Sequence, residues 1–169
     1  MAKLKKYIII GIIFTSVMGT LSHFLYEWTD RNLIVSLFCP VNESTWEHIK
    51  LLYFPMLLYS LFLKWRMKTQ FPHIFSAALS GILVGCASIP ILFYTYTGIL
   101  GYNLLWADIA VFLFSVLLAF IWTYNSAVSQ SGSSAGKCYY PVRITALILF
   151  VLFLVFTFCP PQIGLFISP

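Results

Sequence analysis

Apolar runs of membrane-spanning length dominate this sequence. Five of them, at 7–26, 46–63, 74–94, 104–124 and 144–158, carry few or no charges. A helix needs about 20 apolar residues to cross the hydrocarbon core, so a chain of 169 residues has room for about six crossings with tight loops. The second and fifth runs are near the short limit and are expected to extend into the interfaces. A sixth run, at 33–38, is far too short to cross and reads as an interfacial or re-entrant piece. A soluble fold would need a polar coat. Here 60% of residues are hydrophobic and 9% charged, against about 45–50% and 25% in soluble domains. The same balance excludes disorder. The expected fold is all-α: a single membrane domain over residues 1–169, a bundle of five transmembrane helices.

Charge placement supplies an orientation. Lys3, Lys5, Lys6, Lys64, Arg66, Lys68, Lys137 and Arg143 fall on one side of such a bundle, and only Arg31 and Lys50 on the other. The positive-inside rule makes the first side cytoplasmic, with the N-terminus inside and the C-terminus outside. An even number of spans would spoil the alternation. The net charge of +5 is accounted for by this bias and the adjoining anionic lipids, so nucleic acid is not an expected partner. The first run continues for about 20 residues without a small-residue cleavage site, and is expected to be a retained span rather than a leader.

Trp28, Trp46 and Trp106 fall at outer ends and Trp65 and Trp122 at inner ends, as an interfacial aromatic belt requires. On the third span Ala77, Gly81 and Gly85 recur every four residues, a stripe that lets another backbone approach closely. Packing within the monomer is the preferred reading, and a homodimer seam the alternative. Pro90 is expected to kink or end that helix. Residues 125–137, with Ser131, Gly132, Ser133 and Ser134, read as a flexible cytoplasmic linker. The four cysteines do not form a zinc site: Cys86 is mid-span, Cys138 is cytoplasmic, and Cys39 and Cys159 are outer-side. An oxidising exterior would permit a Cys39–Cys159 bridge, which spacing alone leaves open.

All five acidic residues, Glu27, Asp30, Glu43, Glu47 and Asp108, lie on the outer side, with His23 and His48. His23 and Glu27 are four apart and share a helix face. Glu43, Glu47 and His48 come from the segment that opens the second helix, where Ser44 and Glu47 also fit a capping box. Asp108 lies one turn into the fourth. Ionisable groups at membrane depth are costly and by default mark function.

The strings 22–28 and 39–50 resemble an uncharacterised family of small multi-pass membrane proteins from Gram-positive bacteria. Its hallmark is an Asn-Glu-Ser-x-Trp-Glu-His-x-Lys motif, matched by Asn42 through Lys50. The resemblance implies a bacterial cytoplasmic membrane and points to this string as the working part. It implies no activity.

Three functional readings follow. In the first, the outer pocket of a carrier, sensor or binder holds a cation or cationic amphiphile. Trp28, Asn42, Trp46, Lys50, Tyr102 and Trp106 would line it, since aromatic faces beside carboxylates suit ammonium groups. In the second, His23, Glu43, Glu47, His48 and Asp108 supply ligands to zinc or a similar divalent metal. Glu47 and His48 would then be catalytic in hydrolysing a lipid or peptide through a metal-bound water. No HExxH spacing accompanies them. In the third, the cluster is a structural ion-pair network without ligand, in which Lys50 snorkels back to Glu47, one turn earlier, or to Asp108 across a helix gap.

Overall fold

The structure is a computed structural model and describes residues 1–129 and 139–168. Each apolar run coincides with a helix that extends it. The helices are α1 (Ala2–Trp28), α2 (Leu33–Ser36), α3 (Thr45–Met67), α4 (Ile74–Leu100), α5 (Leu105–Ser129) and α6 (Tyr140–Phe158), followed by a 3-10 turn at Gly164–Phe166. Among the described residues there is no strand. The run at 33–38 becomes the single turn α2, capped by Asn32, whose Oδ1 accepts the N–H groups of Ile34 (2.9 Å) and Val35 (3.4 Å).

Four helices, α1, α4, α5 and α6, are long and apolar enough to cross a membrane. The remaining long helix, α3, has 23 residues, about 34 Å at the usual rise. Glu47, Lys50, Lys64 and Arg66 lower its hydropathy. Glu47 and Lys50 are buried as a pair and Lys64 and Arg66 are exposed in the last turns, while α3 packs against α1, α4, α5, α6 and the 3-10 turn and is the centre of the bundle. Its phenols pin the neighbours. The Tyr53 hydroxyl donates to the Ala146 carbonyl of α6 (2.7 Å) and the Tyr59 hydroxyl to the Tyr7 carbonyl of α1 (2.6 Å).

Cross-helix bonds fix the directions. Arg66 near the end of α3 donates to the Tyr7 hydroxyl near the start of α1, and Arg143 at the start of α6 donates twice to Ser76 at the start of α4. The helices therefore run up and down. Lys3, Lys5, Lys6, Lys64, Arg66 and Arg143 gather at one end, and the five carboxylates at the other, with Lys50 and Arg31 among them.

Two expectations change. Pro90 does not end α4, which continues to Leu100 and stops at Gly101, whose φ of +79° suits a residue without Cβ. α5 runs to Ser129, so residues 125–129 are helix rather than linker. Residues 130–137, with Lys137, and Cys138 lie outside the described residues. The stripe of Ala77, Gly81 and Gly85 is buried between α4 and α5. A Cβ on Gly85 would stand 2.9 Å from both Ala119 Cβ and Leu52 Cδ1, and one on Gly81 would strike the Ala119 carbonyl. These residues are in contact with other residues of the same chain, as the preferred reading of packing within the monomer expects.

Candidate metal centre

Three side chains from separate segments meet at the carboxylate-rich end. His23 comes from the last turns of α1, His48 from the first turn of α3, and Glu43 from the loop before α3. Glu43 Oε2 lies 3.3 Å from His48 Nε2 and 3.9 Å from His23 Nε2, and the two imidazole centroids are 5.3 Å apart. One ligand atom from each of the three falls within 4.8 Å of the others. Two ligands of a tetrahedral zinc, each about 2.05 Å from the ion, stand about 3.3 Å apart. The Glu43–His48 spacing already matches, and His23 needs a small inward movement.

Local sequence builds this arrangement. Asn42 Oδ1 accepts the Ser44 N–H (2.9 Å), tightening the turn that presents Glu43. Ser44 caps α3 by accepting the Glu47 N–H on its hydroxyl (3.4 Å). The Ser44 carbonyl lies 3.1 Å from His48 Nδ1. A carbonyl can only accept, so in this contact Nδ1 is the donor, and Nε2 faces Glu43 and His23, where it donates to the carboxylate if protonated or offers its lone pair to a cation if not. An oriented imidazole with its second nitrogen donating to a carbonyl is the usual support of a metal-binding histidine. A cavity of about 50 Å³ adjoins the group, between His23, Tyr26 and Glu27 of α1 and residues 40–43. It has room for a few waters and is too small for a lipid chain.

The other expected site residues lie elsewhere. Glu47 does not complete the capping box. Its Oε2 accepts the Val41 N–H (3.0 Å) and Lys50 Nζ (2.7 Å) in a buried pair. Lys50 Nζ also donates to the Ser36 carbonyl (3.2 Å) and to Thr157 Oγ1 of α6 (2.6 Å), so each ammonium proton has an acceptor. Asp108 takes neither Lys50 nor a place among the histidines. It accepts the Tyr96 hydroxyl, which in turn accepts the Leu104 N–H (3.4 Å), and so closes the α4–α5 corner. Glu27 pairs with the exposed Arg31.

The expected aromatic cage does not assemble. Trp46 is buried against Phe153, Phe156 and Phe166, and Trp28 stacks on Phe24, while Tyr102 and Trp106 are exposed. Asn42 alone of the expected ligand-binding set lines the cavity. Cys39, Cys86 and Cys159 are free thiols. Burial pushes the Cys39 thiol up, against a smaller opposing hydrogen bond with Ser22. Ser36, Thr157 and Tyr96 carry weight that sequence reading missed. A hydroxyl inside an apolar helix was the only available signal for Thr157 and Tyr96, and the Ser36 contribution is a backbone carbonyl.

Fold and site together define an all-helical protein with four helices fit to span a membrane and a two-histidine, one-carboxylate group at one end. The chain belongs to the Family of unknown function (DUF6512), which matches it over residues 1–168. No curated protein and no solved structure matches it.

Proposed function

We propose that this protein is a five-span membrane protein that binds a divalent transition-metal cation at its outer end, as a carrier or sensor. The observation that carries the reading is the convergence of His23, Glu43 and His48, with one ligand atom of each within 4.8 Å of the others. Imidazole suits zinc and its neighbours better than calcium or magnesium. The failure of the tryptophans to form a cage favours a bare cation over a cationic amphiphile. Counting α3 as the fifth span accords with the gathering of basic residues at one end, and the positive-inside rule then puts the N-terminus inside and the metal outside. The resemblance of residues 42–50 to a family from Gram-positive bacteria supports the cytoplasmic membrane of such an organism.

Elemental analysis after purification without chelator tests the metal. About one transition-metal ion per chain is expected, and His23→Ala, Glu43→Ala and His48→Ala should each lower it. Absence of metal even from zinc-supplemented preparations would sink the proposal. For orientation, a membrane-impermeant thiol reagent on intact cells should label Cys159, which is exposed.

The cavity supports a second reading. Three protein ligands leave a position open for water, and a metal-bound hydroxide could hydrolyse a lipid or peptide bond presented at the surface. Metal-dependent turnover of an ester or amide probe, lost with Glu43→Ala, would favour it.

A further inference from the structure

One ammonium holds both flanks of the loop that presents Glu43. Lys50 Nζ donates to the Ser36 carbonyl, where the loop leaves α2, at 3.2 Å. It also donates to Glu47 Oε2 at 2.7 Å, and that same oxygen accepts the Val41 N–H at 3.0 Å, two residues before Glu43. Its third proton goes to Thr157 Oγ1 at 2.6 Å, and the Thr157 hydroxyl donates onward to the Phe153 carbonyl within α6 at 2.7 Å. Glu43 itself is largely exposed and its carboxylate faces the two imidazoles, so where it stands depends on its loop, which is anchored at 36 and 41 and tightened by the Asn42–Ser44 turn.

We infer that Lys50, through Glu47 and Thr157, is the positioning residue of the metal centre and couples metal binding to the docking of the end of α6 on α3. The inference rests on the proposed metal site. Lys50 touches none of the three ligands and acts through the loop. Releasing the loop restores backbone freedom that metal binding must then remove, and supporting residues of this kind are worth about 10–100-fold in metal affinity. Coupling is reciprocal: if the α6 contact strengthens metal binding, bound metal must strengthen the α6 contact.

The test uses the full-length protein in lipid nanodiscs with Co²⁺, whose visible absorption reports the geometry of its ligands. Replacing both buried charges, Glu47→Leu with Lys50→Leu, leaves no unpaired ion in the core and should preserve the fold. This double variant is expected to bind Co²⁺ about 10–100-fold more weakly than wild type, with an altered spectrum. Wild-type affinity and spectrum in the double variant would overturn the positioning role, while loss of binding in Glu43→Gln would still uphold the metal site. Failure of the wild type to bind Co²⁺ would overturn both. A measurement on wild type alone guards against a double variant that does not fold. Co²⁺ should slow amide hydrogen exchange at Val41 and over 153–158 as well as around the ligands, and protection confined to the ligand-bearing segments would overturn the coupling.

Discussion

Two ionic groups share the start of α3 and differ in every physical respect. The Lys50–Glu47 pair is buried, its N···O distance is 2.7 Å, and its ammonium has an acceptor for each proton. The His23–Glu43–His48 group is open to solvent and more widely spaced, at 3.3–3.9 Å, with two imidazole Nε2 atoms facing one exposed carboxylate. The difference teaches how a membrane bundle divides its polar residues. A charge in the core survives only when its partners are complete, so the complete group is architecture. The exposed group, where two imidazole nitrogens and a carboxylate oxygen converge, is where a cation can add something.

The largest expected effect breaks the buried group. Lys50→Met should destabilise the protein by about 3–5 kcal/mol, because Glu47 is left as an uncompensated buried carboxylate. Thermal or denaturant unfolding in detergent measures this, and adding Glu47→Leu should recover most of the loss. A cost under about 1 kcal/mol would mean that the pair is hydrated like a surface ion pair.

Next comes the open group. His48→Ala should lower transition-metal affinity by on the order of 100-fold or more, since supporting residues alone reach that range and His48 supplies a ligand atom. In metal-free buffer the same variant should shift stability by less than about 1 kcal/mol, as a half-exposed side chain does. Titration calorimetry beside a melting curve separates the two readouts, and equal damage to both would erase the contrast between the groups.

The corner at α4 and α5 sharpens the comparison. Tyr96→Phe removes one hydrogen bond to Asp108 and should cost about 1–2 kcal/mol in stability, with metal affinity unchanged. A drop in metal binding would bring Asp108 into the centre. The smallest effect is expected at Glu27, whose ion pair with Arg31 is exposed. Glu27→Gln should leave both stability and metal occupancy within error, because such pairs contribute little.

Much of the fold was legible because hydropathy is a property of the chain itself. Every long helix coincides with an apolar run, and α3 differs from the rest in the residues that lower its hydropathy. Pro90 was less legible, since a proline ends a helix or sits within it according to what its neighbours offer the freed backbone. At the site, His23, Glu43 and His48 stood out as ionisable groups near apolar segments. Glu47 and Asp108 stood out on the same ground, and nothing in residue type separates them from Glu43. Trp46 likewise reads as an interfacial anchor until its packing against Phe153, Phe156 and Phe166 is seen.

Residue order by itself determined that the chain forms long helices, where those helices lie, and that most bases gather at the end opposite the acids. Burial of apolar length and alternation of charge act along the chain, so they need no knowledge of partners. Tertiary structure alone decided which carboxylate meets which cation. Lys50 could reach Glu47 or Asp108 by reach and depth, and the choice fell to Glu47 because the Ser36 carbonyl and Thr157 complete the same ammonium. Asp108 was left to Tyr96, and Glu43 to the two histidines. A buried charge is stable only when all its partners arrive together. Those partners lie as far as 107 residues apart in the chain, so the pairing is a property of the packed bundle.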